Sequence, residues 1–212
     1  MPSPTLWIVA GPNGAGKTTC TQRRPITALL PGVRFLNPDD VSREKLVQQG
    51  FAGFGDAPSE VRQAAFLESA DEVFAELTRA INASESVGVE TVLSTDKYQT
   101  SVESVRKAGG FVGLIYVALS SPALACERVA ARVRRGGHDV PADKIKSRWG
   151  RSLDNLPWFA KHATAFWVFD NSDSDPNLPP LLAARGRFGA VEFLAEETFI
   201  QLRSSILKID DA

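Results

Sequence analysis

Eight residues near the amino terminus have the types and spacing of a phosphate-binding loop. The run Gly11-Pro12-Asn13-Gly14-Ala15-Gly16-Lys17-Thr18 fits the pattern G-x-x-x-x-G-K-T. Its glycines let backbone N–H groups surround a phosphate chain, and a following helix N-terminus adds favourable partial charge. Lys17 is suited to bind the β- and γ-phosphates, and the Thr18 hydroxyl to ligate Mg²⁺. These residues and Thr19 are therefore predicted to bind a nucleoside triphosphate, ATP or GTP.

The elements around this loop predict an α/β fold. Apolar runs predict strands over 5–10, 33–36, 87–93, 111–119 and 165–169, and periodic patterns predict helices over 18–30, 59–84, 99–108 and 122–134. A last strand over 190–194 and a last helix over 196–207 complete the pattern. This alternation predicts a P-loop NTPase fold, a parallel sheet with helices on both faces. We expect one domain over residues 1–212.

The composition of the chain limits the cellular environments and the kinds of partner that we expect for it. The 212 residues carry a net charge of −1, so no global charge draws the chain to nucleic acid or to anionic membranes. No segment approaches 18 consecutive apolar residues, and the first strand follows the N-terminus without a signal-peptide pattern. The two cysteines have no metal-site spacing. We therefore expect a cytoplasmic protein without membrane contact.

Two adjacent aspartates follow the second predicted strand. Asn37-Pro38-Asp39-Asp40 comes directly after it, and open parallel sheets bind ligands at the carboxyl ends of their strands. A carboxylate there is suited to accept the proton of a hydroxyl or to hold the water shell of Mg²⁺. We predict Asp39 as the catalytic base and Asp40 as a substrate-binding residue. The alternative is that one of them caps a helix starting at Val41.

Glu90 interrupts an apolar strand, which makes a purely structural role costly. A buried carboxylate without a partner is unfavourable, so we predict that Glu90, with Thr91 beside it, binds the acceptor or Mg²⁺-bound water. An ion pair with a core arginine is the alternative. The chain lacks a Walker B Asp-Glu pair, a Leu-Ser-Gly-Gly signature and an Asn-Lys-x-Asp motif. These absences disfavour an ABC-type ATPase and a GTPase, and they make ATP the expected nucleotide.

Residues 127–151 form a basic segment with a net charge of +5. Two sets of cations recur at helical spacing, Arg128, Arg132 and Arg135, then Lys144, Arg148 and Arg151. Gly136-Gly137 lies between them as a predicted hinge. We predict that residues 127–155, the lid segment, close over the phosphates and that Arg151 contacts the substrate. The alternatives are a solvated basic face and a nucleic-acid-binding patch.

The turn after the fifth predicted strand is polar. Asp170 and Asn171 are predicted to hold the nucleotide base, and a plain Asx turn with Ser172 is the alternative. His138 is predicted to be a residue of the lid turn, and His162 to be peripheral.

The assembled pattern resembles the zeta-toxin-like P-loop kinases over most of residues 5–172. The resembling stretches are 10–19, 35–43, 90–95, 128–155 and 169–172, and the specific part is the arginine-rich stretch with Gly-Gly-His-x-Val-Pro. The resemblance implies phosphoryl transfer from ATP to the 3′-hydroxyl of the amino sugar of UDP-N-acetylglucosamine. An antitoxin protein is then a further candidate partner.

The same resemblance implies roles for individual residues. Lys17 binds phosphate, Asp39 is the base and Glu90 is the acid on the substrate side. Arg132 or Arg135, together with Arg148, stabilise the transition state. Toxin members often follow the base with an aromatic residue and a His-Pro pair, where this chain has Val41-Ser42-Arg43-Glu44. This difference bears on the acceptor more than on the chemistry.

Two other functions compete with this interpretation. One is a P-loop kinase for another sugar, a nucleoside or an antibiotic. The other is a nucleotide switch or nucleic-acid-binding ATPase whose basic segment contacts a phosphate backbone. Salt-dependent RNA or DNA binding would support the switch, and ADP release stimulated by an acceptor would support a kinase.

Overall fold

The computed structural model describes residues 3–30, 32–175 and 178–211 as a seven-stranded sheet with helices packed against it. The strands are β1 (Thr5–Ala10), β2 (Arg34–Leu36), β3 (Ser86–Thr91), β4 (Phe111–Ala118), β5 (Ala165–Asp170), β6 (Leu181–Arg187) and β7 (Ala190–Leu194). The helices are α1 (Lys17–Thr21), α2 (Pro38–Gln48), α3 (Ser59–Asn82), α4 (Gln99–Lys107), α5 (Pro122–Val133), α6 (Ala142–His162) and α7 (Ile200–Asp211). The predicted α/β class is confirmed.

The strand order β2-β3-β1-β4-β5-β6-β7 places β1 between two parallel neighbours, β3 and β4. The register pairs Val9 with Glu90 and Ala10 with Thr91. The phosphate-binding loop that leaves β1 therefore begins beside the end of β3 that carries Glu90. This juxtaposition of carboxyl ends is what the sequence predicted for an open parallel sheet.

The sheet is mostly parallel rather than wholly so. β6 pairs antiparallel with β5, and β7 pairs antiparallel with β6. Strand β6 was not predicted from the sequence, because the exposed side chains of Arg185 and Arg187 break its apolar pattern. A tight turn at Phe188-Gly189 joins the two strands, and both residues have positive φ angles.

Each face of the sheet has its own hydrophobic core. Helices α3, α4, α6 and α7 cover one face, where Leu114 and Phe166 are fully buried. Helix α5 and a 3-10 turn at Ile26–Leu29 cover the other face over Ile115 and Val117. Leu67 on α3 is 63% exposed, although it is apolar. Two residues advance a helix by about 200°, so Leu67 lies opposite the buried Ala65.

Two predicted helices differ from the structure. The helix expected over 18–30 ends at Thr21, and a 3-10 turn follows at Ile26–Leu29. Pro25 lies between them; it lacks a backbone N–H and cannot continue a helical ladder. The last helix is Ile200–Asp211 rather than 196–207, because Thr198 and its neighbours form a turn before it.

Candidate active site

The phosphate-binding loop has the backbone geometry that its glycines predict. Gly11 has a φ angle of +143°, and a side chain there would collide with the carbonyl oxygen of Val117 on β4. Gly16 has a φ angle of +81° and lies at the start of α1. These conformations are open to glycine and strained for other residues. The loop therefore packs tightly against β4.

Lys17, Thr18 and Glu90 meet at the end of this loop. The Lys17 ammonium donates hydrogen bonds to the carbonyls of Gly11 (2.9 Å) and Pro12 (3.3 Å). The Thr18 hydroxyl donates to both carboxylate oxygens of Glu90, at 3.0 and 3.1 Å. Glu90 thus has partners within the site rather than a core arginine. The predicted phosphate-binding lysine, metal-binding threonine and acidic residue lie together.

Burial shifts the protonation equilibria of this cluster in opposite directions. Desolvation lowers the pKa of Lys17, although the charges of Glu90 and Asp39 oppose that effect. Desolvation also raises the pKa of Glu90, while Lys17 and the Thr18 hydroxyl act to lower it. The charged form of Lys17 is favoured when negative charge enters the site, and the charged form of Glu90 is favoured when positive charge does. A triphosphate with a divalent cation supplies charge of both signs.

The two aspartates are in the first turn of α2, and neither is the helix cap. The cap is Asn37, whose side chain accepts the N–H of Asp39 at 3.0 Å, with Pro38 at the first helical position. Asp40 pairs with the exposed Arg43 at 3.7 Å. The charges of both aspartates act on Glu90, and the charge of Asp39 acts also on Lys17, His138 and Arg148. Of the two carboxylates, Asp39 is the one electrostatically coupled to the lysine and the arginine.

A cavity of about 690 Å³ opens beside the loop. Its volume is within the range of about 300–1,000 Å³ that is usual for small-molecule sites. Among the predicted site residues, its walls include Gly14, Gly16, Lys17, Thr18, Thr19, Glu90, Arg132, Arg135 and Asn171. The lining does not include Asp39, Asp40, Thr91, Arg148 or Arg151. The predicted nucleotide-binding and acceptor-side residues therefore separate into two groups, which meet at Lys17 and Glu90.

Two arginines of α5 and one of the turn after it face this cavity. Arg128, Arg132 and Arg135 all line it, so this basic stripe faces inward. The Arg128 guanidinium also donates to the carbonyl of Asp173 at 2.7 Å, which joins α5 to the loop after β5. Arg132 donates to the carbonyl of His138 at 2.7 Å, and its Nε is buried without a partner. An unpartnered guanidinium nitrogen beside the phosphate loop is suited to bind an anion.

The glycine pair Gly136-Gly137 ends helix α5 with a regular hydrogen-bonding motif. The N–H of Gly137 bonds to the carbonyl of Arg132, and the N–H of Gly136 to that of Val133. These are the two hydrogen bonds of a Schellman motif, with Gly136 in the left-handed region at φ +85°. The Arg132 side chain packs against Gly137, where a Cβ would lie 2.5 Å from its Cγ. The pair therefore has a structural role in addition to the predicted hinge.

His138 docks the turn between α5 and α6 onto a small apolar cluster. Its ring lies 4.1 Å from Phe66 and 5.0 Å from Phe54, measured between centroids. Burial lowers its pKa to about 4, and nearby Arg132 and Arg62 add to the effect against the charge of Asp39. His138 is thus a neutral, aromatic contact of the lid turn. His162, the other histidine, stacks on Trp158.

We expect His138→Phe to reduce the loss of stability on acidification. The folded protein holds this histidine at a pKa of about 4, whereas the unfolded chain has the ordinary value of about 6.5. Between these values the unfolded state binds more protons, so wild-type stability falls as the pH decreases from 6.5 toward 4. Urea unfolding of both proteins at several pH values measures the difference. Parallel stability curves would show that His138 does not contribute.

Helix α6 carries the second group of predicted arginines. Arg148 is half-buried, and burial together with the charge of Arg151 lowers its pKa, while Asp39 raises it. Arg148 therefore lies within electrostatic reach of both the proposed base and Arg151. Neither Arg148 nor Arg151 lines the cavity that Arg128, Arg132 and Arg135 line.

The turn after β5 takes the Asx form that was the alternative prediction. The Asp170 carboxylate accepts the N–H of Ser172 at 2.9 Å and also bonds its hydroxyl. Asn171 donates to the carbonyl of Ala15 at 2.8 Å and lines the cavity. Asn171 therefore holds the phosphate loop through the carbonyl of Ala15, and Asp170 stabilises the turn.

Several residues that line the cavity were not predicted to be site residues from the sequence. They include Cys20, Arg23, Arg128 and the loop residues Asp173, Ser174, Asp175, Leu178 and Pro180. Arg128 had a signal, since it begins the stripe that continues at Arg132. The cavity residues of the loop after β5 had no such signal, because their place beside the cavity depends on the antiparallel strand β6, which was not predicted.

The donor set at Thr18 and Glu90 suits a magnesium ion. Both side chains supply hard oxygen atoms, and Thr18, donating its proton to Glu90, keeps its oxygen lone pairs available. In the described ranges, no group of three or more His, Cys, Asp or Glu side chains is arranged to hold a metal. Magnesium bound through one or two protein oxygens, water and phosphate needs no such group. Within the same ranges, no helix has the length and apolarity to cross a bilayer.

Comparisons with known proteins give a fold. No family model and no curated protein matches the chain. Among solved structures, it is similar to a chain of the AvrRxo1-ORF1:-ORF2 complex with ATP, at 16% identity and a TM-score of 0.69. That match covers 99% of this chain and 64% of the other. This chain therefore spans less than two thirds of that longer protein.

Two further structures are similar over shorter or looser matches. A putative kinase from Chloroflexus aurantiacus has 19% identity and a TM-score of 0.51, over 69% of this chain and 80% of its own. A structure of the PezAT toxin-antitoxin system of Streptococcus pneumoniae has 13% identity and a TM-score of 0.52, over 98% and 78%. These likenesses show a shared fold, and they confirm the predicted α/β architecture with a mostly parallel sheet.

Proposed function

We propose that this chain is an ATP-dependent phosphotransferase that transfers the γ-phosphate to a hydroxyl group of a small molecule. The observation that carries the proposal is the meeting of Lys17, Thr18 and Glu90 between two groups of residues. One group is the cavity with inward-facing arginines, and the other contains Asp39 and Arg148. A phosphoryl donor and an acceptor need two such adjacent sites.

Each group has a chemical role in this reaction. The loop N–H groups and Lys17 bind the phosphates, and Arg132 and Arg135 neutralise the charge that develops on the transferred group. Asp39 accepts the proton of the acceptor hydroxyl, and Arg148 stabilises the same transition state from the acceptor side. Glu90 orients the acceptor or metal-bound water. Thr18 would hold Mg²⁺, with Glu90 on the water shell of the ion, and the bound ion would neutralise charge on the phosphates.

UDP-N-acetylglucosamine is the leading acceptor in this proposal. Its support is the resemblance of the lid segment to zeta-toxin-like kinases, together with the fold shared with the PezAT structure. ATP as donor is in keeping with the similar AvrRxo1-ORF1:-ORF2 structure, which contains ATP. An antitoxin protein is proposed as a partner on the same likenesses.

Mass spectrometry tests the proposal directly. The protein is incubated with Mg·ATP and UDP-N-acetylglucosamine, and in parallel with a set of other sugars, nucleosides and aminoglycosides. We expect one acceptor to gain a phosphate and to stimulate ADP release. Salt-sensitive binding of RNA or DNA without any phosphorylated acceptor would contradict a kinase and favour a nucleotide switch.

Arg148→Ala is expected to slow phosphoryl transfer by about 10²-fold, the lower end of what one preorganised charge-stabilising donor contributes. ATP affinity should change little, because Arg148 lies outside the cavity beside the loop. Arg148→Lys should restore only part of the rate, since lysine lacks the planar fork that holds two phosphate oxygens. Single-turnover transfer and equilibrium ATP binding separate the two effects. Normal transfer by Arg148→Ala would remove Arg148 from the mechanism.

A further inference from the structure

Helix α6 is fastened to the sheet by three side chains at every third position. The indole N–H of Trp149 donates to the carbonyl of Leu119 at 2.9 Å. The Ser152 hydroxyl donates to the carbonyl of Val92 at 2.6 Å, and the Asn155 amide donates to that of Leu93 at 2.9 Å. We call Trp149, Ser152 and Asn155 the anchor residues. Their acceptors all lie just beyond the carboxyl ends of β3 and β4.

The backbone that accepts two of these bonds is strained. Leu93 is fully buried and has a φ angle of +61°, a conformation that a leucine rarely adopts. Its N–H bonds to the Thr91 hydroxyl oxygen at 3.2 Å, and its carbonyl accepts from Asn155. Such strain persists where surrounding contacts enforce it, and it is common at active sites. This turn begins directly after the strand segment that carries Glu90.

The anchor residues also fix the direction of the arginines on α6. Arg148 immediately precedes Trp149, and Arg151 immediately precedes Ser152. Neighbours on a helix are about 100° apart and residues three apart share a face, so both arginines lie on one flank of the anchored face. On that flank Arg148 is affected by the charges of Arg151 and Asp39. Rotation or sliding of α6 would move the guanidinium away from Asp39.

The Ser152 anchor is part of a buried network. Ser152 is fully buried, and its oxygen lies 2.9 Å from the hydroxyl of the equally buried Tyr116. Burial raises the pKa of Tyr116, which keeps it a neutral hydroxyl. A satisfied buried network holds its members in one geometry, since breaking it leaves unpaired polar groups. This part of the lid segment is therefore fixed to the sheet.

We propose that Ser152 and Asn155 are positioning residues that hold Arg148 against the acceptor site by fastening α6 to the ends of β3 and β4. The inference rests on the proposed phosphotransferase function and deepens it. The lid segment is divided: residues 142–155 are a fixed arm, and any closing motion is confined to α5 and the turn before α6. The acceptor-side arginine is thereby in place before ATP binds.

Asn155→Ala and Ser152→Ala test this inference with Mg·ATP and the acceptor that the wild-type protein phosphorylates. A misplacement of about 1 Å at a reacting centre costs roughly 10²-fold in rate, so we expect kcat to fall by roughly 10–100-fold with ATP affinity kept within about twofold. Asn155→Asp, which keeps the shape but loses the donated hydrogen bond when ionised, should behave like the alanine variant.

The matched control is Ser205→Ala. Ser205 is a buried serine on α7 whose hydroxyl donates to the carbonyl of Leu153 on α6. Its loss removes the same kind of bond from the same helix without touching β3 or β4. We expect a similar fall in thermal stability and unchanged kcat. An equal fall in kcat for Ser205→Ala would show a general structural effect and overturn the inference.

A double-mutant cycle with Arg148→Ala decides whether the anchors act through Arg148. If they do, Asn155→Ala costs at most about twofold in kcat once Arg148 is already absent. If it costs the same factor in both backgrounds, Asn155 acts independently and the inference is wrong. A wild-type protein that transfers no phosphate to any acceptor or to water contradicts the proposed function itself. An active wild type with unaffected Asn155→Ala and Ser152→Ala variants contradicts only this inference.

Discussion

Lys17→Ala is expected to reduce phosphoryl transfer from ATP by roughly 10³-fold and to weaken ATP binding as well. A preorganised cation beside the transferred group contributes about 10²–10³-fold in the transition state alone. Lys17 is nearly buried, and desolvation lowers its pKa while Glu90 and Asp39 favour its charge. Its ammonium bonds to the carbonyls of Gly11 and Pro12. Phosphate oxygens would compete with these carbonyls for the ammonium.

Removing this lysine also tests how the empty loop is held together. The structure buries Lys17 and gives its ammonium two carbonyl partners, so its loss is expected to lower stability as well as activity. We therefore compare Lys17→Met, which keeps the length of the side chain, with Lys97→Met as a matched control. Lys97 also donates to a backbone carbonyl, that of Ala70 at 2.9 Å, on another surface. Calorimetric ATP binding and single-turnover transfer are measured beside thermal unfolding, and normal transfer by folded Lys17→Met would contradict a P-loop kinase.

Local patterns predicted the centre of the fold and the loop at its core. The strand before Gly11 and the run around Glu90 are short apolar runs, and their length together with the turn residues beside them predicts buried strands. The parallel order then brings the ends of β1 and β3 together, and the Thr18–Glu90 contact is a direct result. Residue types also predicted that Glu90 would not be left unpaired.

The details of helix ends and the contacts between distant segments could not be predicted in this way. The cap on α2 is Asn37 rather than an aspartate, a choice that depends on where Pro38 starts the helix. The Gly136-Gly137 pair ends helix α5 through backbone hydrogen bonds to Val133 and Arg132. The sequence alone does not distinguish such a helix end from a free hinge. Trp149, Ser152 and Asn155 gave no signal, because their partners are backbone carbonyls between 30 and 62 residues away.

Asp39→Asn is expected to lower kcat by roughly 10²–10⁴-fold, the usual contribution of a general base, with ATP affinity nearly unchanged. Asp39 is outside the cavity lined by the phosphate loop, yet its charge reaches Lys17, Glu90 and Arg148. Asparagine keeps the shape of the side chain and removes its ability to accept a proton. The loss should therefore appear in transfer to the acceptor and not in the binding of Mg·ATP.

Asp40→Asn is the matched control, because the two aspartates are adjacent and both lie in the first turn of α2. Negative charge there favours the helix N-terminus equally in both cases, so each variant should lose a similar, small amount of stability. Asp40 pairs with the exposed Arg43, and an exposed pair contributes little. We expect Asp40→Asn to keep most of its kcat. An inactive Asp40→Asn beside an active Asp39→Asn would place the base one residue later, and two active variants would mean that neither carboxylate accepts the proton.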